Sequence, residues 1–134
     1  MLRMRIVIHE SESPHQVHTL ADLDKAIGSA TAEACLKGLL SIVELKAENG
    51  NTMNIVLGGN ETVLTFRYGH GDPPYYASKG IAAEDEPIMT AFMFLLHHTE
   101  FPRHCVIPLS PGLSALREFF QSGTLPTFIQ WSEV

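Results

Sequence analysis

Apolar and polar residues alternate along the chain with two periods, and these periods divide it into predicted helices and strands. In "TLADLDKAIGSATAEACL" at 19–36, the period is helical. Its apolar positions share one face: Leu20, Leu23 and Ile27. Thr19 is a plausible N-cap, and Asp22 occupies the capping-box position in which Glu or Gln is more usual. We therefore predict a helix that begins near Leu20, while Gly28 and Ser29 leave its continuation toward Leu36 open.

The strand period dominates the next part of the chain. "RIVIH" at 5–9 is a β-branched run that predicts a first strand. Three later segments, at 39–47, 52–58 and 61–69, are separated by the turn clusters "ENGN" and "GGN" and predict an antiparallel meander. In the third segment the alternating positions Leu64, Phe66 and Tyr68 give one clearly apolar face.

The segment after the meander is harder to assign. "HGDPP" interrupts the pattern before "YYASKG", and "IAAEDEP" follows as an acidic loop. The apolar run "IMTAFMFLLHH" at 88–98 fits either a helix or a long buried strand. We favour a strand because the run follows a meander.

The last helix has a clear local signature over 111–122. Ser110 is the expected cap, Pro111 the first helical residue, and Gly123 the left-handed residue that ends the helix. One helical face carries the apolar residues Leu113, Leu116 and Phe120.

After this helix, "LPTFIQW" alternates again and predicts a final strand. Ile129, Trp131 and Glu133 would then lie on one side of that strand. The whole pattern predicts an α+β fold in a single domain, 1–134, with an antiparallel sheet of about five or six strands and the helices packed on one face.

Composition supports a folded globular protein, with 45% hydrophobic and 18% charged residues. No segment approaches the roughly 20 apolar residues of a membrane span, and the first ten residues lack a signal-peptide core. We therefore expect a soluble, cytoplasmic protein that does not bind a membrane. The two cysteines, Cys35 and Cys105, show no disulfide spacing pattern.

The net charge of the chain indicates which kind of macromolecule it is suited to bind. Fifteen acidic and nine basic residues give a net charge of −6, which argues against direct nucleic-acid binding because phosphate contacts need cations. A basic protein partner is the natural complement.

Candidate catalytic and metal-binding residues do not form a recognisable motif. His97, His98, His104 and Cys105 lie close in sequence, but without the paired short spacings of zinc sites. Ser110 is better explained as a cap, and Cys105 as a small buried hydrophobe. We predict no metal, no cofactor and no enzymatic activity.

Two surface features are candidates for protein binding. They are the acidic loop triplet Glu84, Asp85 and Glu86, and the tyrosines Tyr75 and Tyr76 near Asp72. Loop carboxylates are often simply solvated, but tyrosines beside acids on irregular segments suit a surface for a basic partner. On a strand, one of the two tyrosines must face outward.

Trp131, the only tryptophan, is the fourth residue from the end of the sequence. We interpret it mainly as a packing residue that holds the last strand against the 111–122 helix. Glu133 would lie at the solvent edge, with Arg117 as a candidate partner.

The tail, with "ALREFF", "SGTLP" and "FIQWSEV", resembles the C-terminal pattern of the family-one immunity proteins of bacterial polymorphic toxin systems, which end on a strand that carries W-x-E. The "YYASKG" segment is also similar to that family. By this resemblance the family motif residues correspond to Ser78, Gly80, Trp131 and Glu133.

The resemblance implies a non-enzymatic cytoplasmic α+β protein that binds a co-encoded secreted toxin. Frequent partners of the family are deaminase-fold toxins that act on nucleic acids. Clustered carboxylates on the inhibitor would then fill the positive substrate groove of such a toxin. An acidic chaperone for a secreted effector is the alternative, although such chaperones commonly finish with a helix.

Overall fold

The structure, a computed structural model, describes residues 4–7, 15–81, 89–93 and 97–134. Two helices are formed, α1 (Leu20–Lys37) and α2 (Leu109–Ser122), and a short 3₁₀ helix covers Arg103–Cys105. The strands, in chain order, are β1 (Met4–Val7), β2 (His15–Val17), β3 (Ser41–Ala47), β4 (Thr52–Leu57), β5 (Glu61–Thr62), β6 (Leu64–Arg67), β7 (Tyr75–Ser78), β8 (Met89–Met93), β9 (His97–Phe101), β10 (Ile107–Pro108) and β11 (Trp131–Glu133).

The main sheet confirms the predicted α+β class. Its strands run in the order β11-β7-β6-β4-β3-β1-β2, and every neighbouring pair along this path is antiparallel. Strands β8 and β9 pair antiparallel, and β8 joins β3 through one parallel pair of residues, Ser41 and Phe92. More strands join the sheet than the pattern predicted, because several short segments extend its edges.

The predicted meander is present as β3, β4 and β6. Its third segment is divided at Val63, because β5 leaves the main sheet to pair with β10. The 88–98 run forms strands in its described parts, as we favoured, since β8 and the start of β9 lie within it.

Helix α1 begins at the predicted residue and continues past Gly28. Thr19 accepts a hydrogen bond from the Asp22 amide, and the Asp22 carboxylate accepts from the Thr19 amide, which completes the capping box. Gly38, with φ of 67°, ends the helix in the left-handed conformation.

Helix α2 begins two residues earlier than predicted, and Ser110 is not its cap. Strand β10 leads directly into the helix, and the Leu109 amide donates to the carbonyl of Asn60. A backbone acceptor from a distant turn therefore takes the place of a capping side chain. The predicted end is confirmed, because Gly123 has φ of 69° and donates to the Phe119 carbonyl.

Both helices cover the same face of the sheet, as predicted. The core on that face combines residues of both helices with the inward side of the meander, including Leu23, Ile27, Leu45, Met53, Phe66, Leu116 and Phe119. A second, smaller cluster lies between β3, β4, β7, β8 and the 3₁₀ segment and includes Ile42, Val56, Ala77, Ala91 and Cys105. The sheet is thus buried on both faces over part of its area.

The tail differs from the predicted long strand. The regular strand covers Trp131–Glu133, with one further backbone hydrogen bond at each end, so Ile129 does not share a regular strand with Trp131. The physical reason is Glu118 on α2, whose carboxylate accepts hydrogen bonds from the amides of Thr127 at 2.7 Å and Phe128 at 3.0 Å. Those amides are therefore held by the helix instead of a neighbouring strand.

Candidate functional site

The four residues to which the resemblance assigned a motif, Ser78, Gly80, Trp131 and Glu133, lie together where β7 and β11 meet. Trp131 lies directly opposite Ser78, and Glu133 lies directly opposite Tyr76. Gly80 follows β7 by two residues, next to the Lys79 amide that donates to the carbonyl of Gln130. Sequence segments from two distant parts of the chain thus form one junction at the edge of the sheet.

Ser78 holds three segments together at this junction. Its side chain is fully buried, and its hydroxyl donates to the Cys105 carbonyl at 2.6 Å while it accepts from the Leu64 amide at 3.1 Å. Both of these backbone groups would be unsatisfied without the hydroxyl, which makes Ser78 a structural residue.

Gly80 is required by close approach of backbones. Its amide donates to the carbonyl of His104 at 2.6 Å. A Cβ atom at this position would clash with the carbonyl oxygen of Val106. Only glycine therefore lets the chain leave β7 alongside the 103–106 segment.

Trp131 is half-buried and packs against the core on the helix side of the sheet. Its indole N–H donates to the Pro126 carbonyl at 2.8 Å. The same ring therefore contacts the core and fixes the irregular 124–130 segment, which agrees with a mainly structural role.

Glu133 is exposed and does not pair with Arg117. That arginine instead contacts Asp24, with 2.9 Å between Nη2 and Oδ1, because α1 and α2 lie side by side. The carboxylate of Glu133 faces Tyr76 across the ladder. The pKa of the Tyr76 phenol is raised, first by burial and then by the neighbouring Tyr68 and Glu133.

Strand β7 separates the two candidate tyrosines. Tyr76 points to the helix side, where its ring lies 6.4 Å from that of Phe66 and 6.3 Å from that of Tyr68. Tyr75 points to the opposite face, and its hydroxyl donates to the Gly71 carbonyl at 2.8 Å. Exposed Asp72 lies in the same loop, so Asp72 and Tyr75 remain close while Tyr76 does not join them.

The acidic triplet Glu84, Asp85 and Glu86 lies outside the described residues. Its part in binding therefore stays a prediction.

Sequence reasoning missed a shallow depression on the face that Tyr75 occupies. It has a volume of about 240 Å³, and its lining includes Thr52, Asn54, Thr65, Arg67 and Tyr75. The sequence did contain a signal for this depression. In β4 and β6 the polar lining residues alternate with apolar core residues, so they lie on the face of the sheet opposite to the helices. Among these lining residues, the exposed Arg67 contributes a positive charge.

The described residues do not bring together three His, Cys, Asp or Glu side chains in a way that could hold a metal ion. Cys35 and Cys105 are free thiols, and burial raises the pKa of Cys105. Within the same part of the chain, neither helix has the length and apolar character needed to cross a membrane.

The chain is thus a small acidic α+β protein in which Ser78, Gly80, Trp131 and Glu133 lie together at a sheet edge. The sequence model of the family described as "Immunity protein Imm1" matches residues 11–133. The chain therefore belongs to the Imm1 immunity protein family, and its similarity extends from the tail over nearly all of its length. No curated protein matches the chain.

Proposed function

We propose that this immunity protein binds and neutralises a cognate secreted toxin that acts on nucleic acid, by covering the basic substrate groove of that toxin. The observation that carries the proposal is the family match over 11–133. Immunity proteins have a toxin as their protein partner. In this proposal, inhibition takes place in the cytoplasm of the toxin-producing cell.

The net charge supports a basic toxin surface. A toxin that processes DNA or RNA needs a positive groove for phosphates, and an inhibitor of net charge −6 is attracted to it. Deaminase-like and nuclease toxins both satisfy this requirement.

The distribution of carboxylates supports an interface near the β7–β11 junction. Asp24 and Glu61 are neutralised by Arg117 and Arg103, with 2.9 and 2.7 Å between the charged atoms. Asp72 and Glu133 have no cationic partner within the described part of the chain. They lie at one end of the sheet, because the Val134 amide bonds to the Tyr75 carbonyl. Carboxylates without intramolecular partners remain available to a basic partner.

Co-expression tests the proposal. Cells that produce the toxin encoded by the adjacent reading frame should survive when this protein is present, and the two proteins should elute together on gel filtration. Toxin activity in the purified complex should fall to background at equimolar inhibitor. An absence of rescue together with an absence of complex formation would reject the proposal.

The same assay distinguishes an effector chaperone. A chaperone would bind the secretion segment of its effector and leave the activity of the toxin domain intact. Retained toxin activity in a stable complex would therefore support the chaperone and contradict the immunity mechanism.

A further inference from the structure

In the β7–β11 ladder, alternate residues of β11 bond to β7, and the residues between them direct their backbone groups away from β7. The Lys79 amide donates to the Gln130 carbonyl, and the Val134 amide donates to the Tyr75 carbonyl. Lys79 and Gln130 are therefore a hydrogen-bonded pair of the ladder, and so are Tyr75 and Val134. Such pairs alternate along an antiparallel ladder. Ser132 therefore bonds with Ala77, whereas Trp131 and Glu133 direct their N–H and C=O groups away from β7.

These outward groups lie at a sheet edge. Strand β11 pairs only with β7 among the described strands, and the backbone amides and carbonyls of Trp131 and Glu133 form no hydrogen bond within that part of the chain. The edge thus offers two donors and two acceptors at the spacing of a further strand.

We propose that the outer edge of β11 binds an extended basic segment of the toxin, which adds a strand to the sheet. The inference rests on the proposed function and names the part of the protein and the kind of toxin segment involved. Backbone bonds to Trp131 and Glu133 would supply affinity, and the side chains of those residues would supply specificity.

The side chains of the edge define the segment that fits. Trp131 and Glu133 share the helix-side face, where Glu133 already lies beside the phenol of Tyr76. A residue opposite Glu133 on an added strand comes close enough for ion pairing, and Lys or Arg satisfies it. Two residues further along the same face, a large apolar or cationic side chain would contact the exposed part of the Trp131 ring.

Charge complementarity favours such a segment over a second copy of this chain. An added copy of β11 centred on Glu133 would place two carboxylates opposite each other, and like charges in that arrangement are destabilising. Each copy also carries a net charge of −6. Glu133 therefore disfavours self-pairing of the edge and favours a cationic strand.

Amide hydrogen exchange, measured by NMR on the free protein and on its complex with the toxin, tests the proposal. In the free protein the Ser132 amide should be protected, while the amides of Trp131 and Glu133 should exchange quickly. In the complex both of these amides should become protected. Complex formation without added protection at 131 and 133 would reject the edge while leaving the proposed function intact, whereas an absence of any complex would reject both.

A matched pair of variants isolates the backbone contribution. Glu133→Ala removes the carboxylate, and Glu133→Pro removes the carboxylate together with an outward N–H that β7 does not use. Proline is tolerated at such an edge position, so both variants should melt at similar temperatures. The proline variant should bind the toxin about tenfold more weakly than the alanine variant, the effect of one lost hydrogen bond. Equal toxin affinities would overturn the proposal, and the exchange experiment decides the matter if Glu133→Pro unfolds.

Discussion

At the scale of single residues, Ser78, Gly80, Trp131 and Glu133 differ in how deeply their side chains are buried. Ser78 and Gly80 are committed to buried contacts with the 103–106 segment. The ring of Trp131 is half-buried, and Glu133 is exposed. Substitutions along the motif should therefore change from loss of stability to loss of binding as exposure increases.

Replacing Trp131 with alanine should lower the free energy of unfolding by about 2–3 kcal/mol, somewhat less than the ~3–5 kcal/mol of a fully buried large aromatic residue. Trp131→Phe serves as the control, since it keeps a ring but loses the hydrogen bond to Pro126. It should cost roughly 1 kcal/mol. Urea melts of both variants measure this. A Trp131→Ala protein that melts like the wild type would show that the ring acts only in binding.

The titration of Tyr76 should respond to Glu133. Burial, Tyr68 and Glu133 together raise the phenol pKa above its ordinary value of 10.0. Stability from this raised pKa is fully present below pH 10.0 and is lost as pH rises through the higher folded value. Glu133→Gln should lower the pKa of Tyr76 slightly, because it removes the smallest of the three causes.

Phenolate absorbance of wild type and Glu133→Gln measures the change, with Tyr76→Phe to identify the transition that belongs to this residue. An unchanged titration of Tyr76 in Glu133→Gln would contradict the contact across the ladder.

At the scale of elements, a Gly→Ala substitution should have opposite effects on stability at two positions, Gly80 and Gly28. Gly80→Ala forces a Cβ against the Val106 carbonyl and should destabilise the junction by more than about 1 kcal/mol. Gly28 lies inside α1, and beyond its chain neighbours and the surrounding helix backbone no atom of the described residues lies within 4 Å of the point that an alanine Cβ would occupy there. Gly28→Ala should therefore stabilise the protein by about 0.5–1 kcal/mol. Thermal melts of the two variants compare them directly, and a stabilised Gly80→Ala protein would contradict the close approach.

Elements with local signals could be predicted from the sequence. The capping box of α1, the glycine that ends α2 and the turns of the meander all depend on residues within a few positions of one another. The start of α2 could not be predicted in this way, because its first amide bonds to Asn60. The irregular 124–130 segment likewise depends on Glu118. Its carboxylate accepts hydrogen bonds from the amides of Thr127 and Phe128, which in a regular strand would pair with a neighbouring strand.

The candidate site was predictable to a similar extent. The resemblance suggested Ser78, Gly80, Trp131 and Glu133 as site residues, and that role stays a prediction. The contacts that position Ser78 and Gly80 come from Cys105 and His104, which lie in a distant part of the chain. The pairing of Glu133 with Arg117 was wrong because the sequence does not show that α1 brings Asp24 to that arginine. Pattern alone also could not place Tyr75 and Tyr76 relative to the helices.

At the scale of the whole molecule, negative charge should control the rate of association with the toxin. Neutralising Asp72 together with Glu84, Asp85 and Glu86 should slow association and flatten its dependence on salt concentration, since steering by charges is screened by ions. Circular dichroism should show an unchanged fold. Stopped-flow binding at several salt concentrations measures the rates.

Asp24→Asn is the comparison for that experiment, because it removes a carboxylate that already has a cationic partner on the helix side. Its association rate should remain close to that of the wild type. If the quadruple variant associates at the wild-type rate, the binding surface lies elsewhere on the molecule.

The position of β11 in the chain also has a consequence for biosynthesis. Strand β7 emerges from the ribosome well before β11. During translation the edge of Tyr75–Ser78 that pairs with Trp131–Glu133 therefore stays unpaired until β11 has been synthesised. A nascent or prematurely terminated chain that lacks β11 would present β7 itself as an uncovered strand, without the carboxylate of Glu133 to discourage pairing with other chains. Such truncated products should therefore aggregate or be degraded, and only chains synthesised beyond Glu133 should accumulate in folded form.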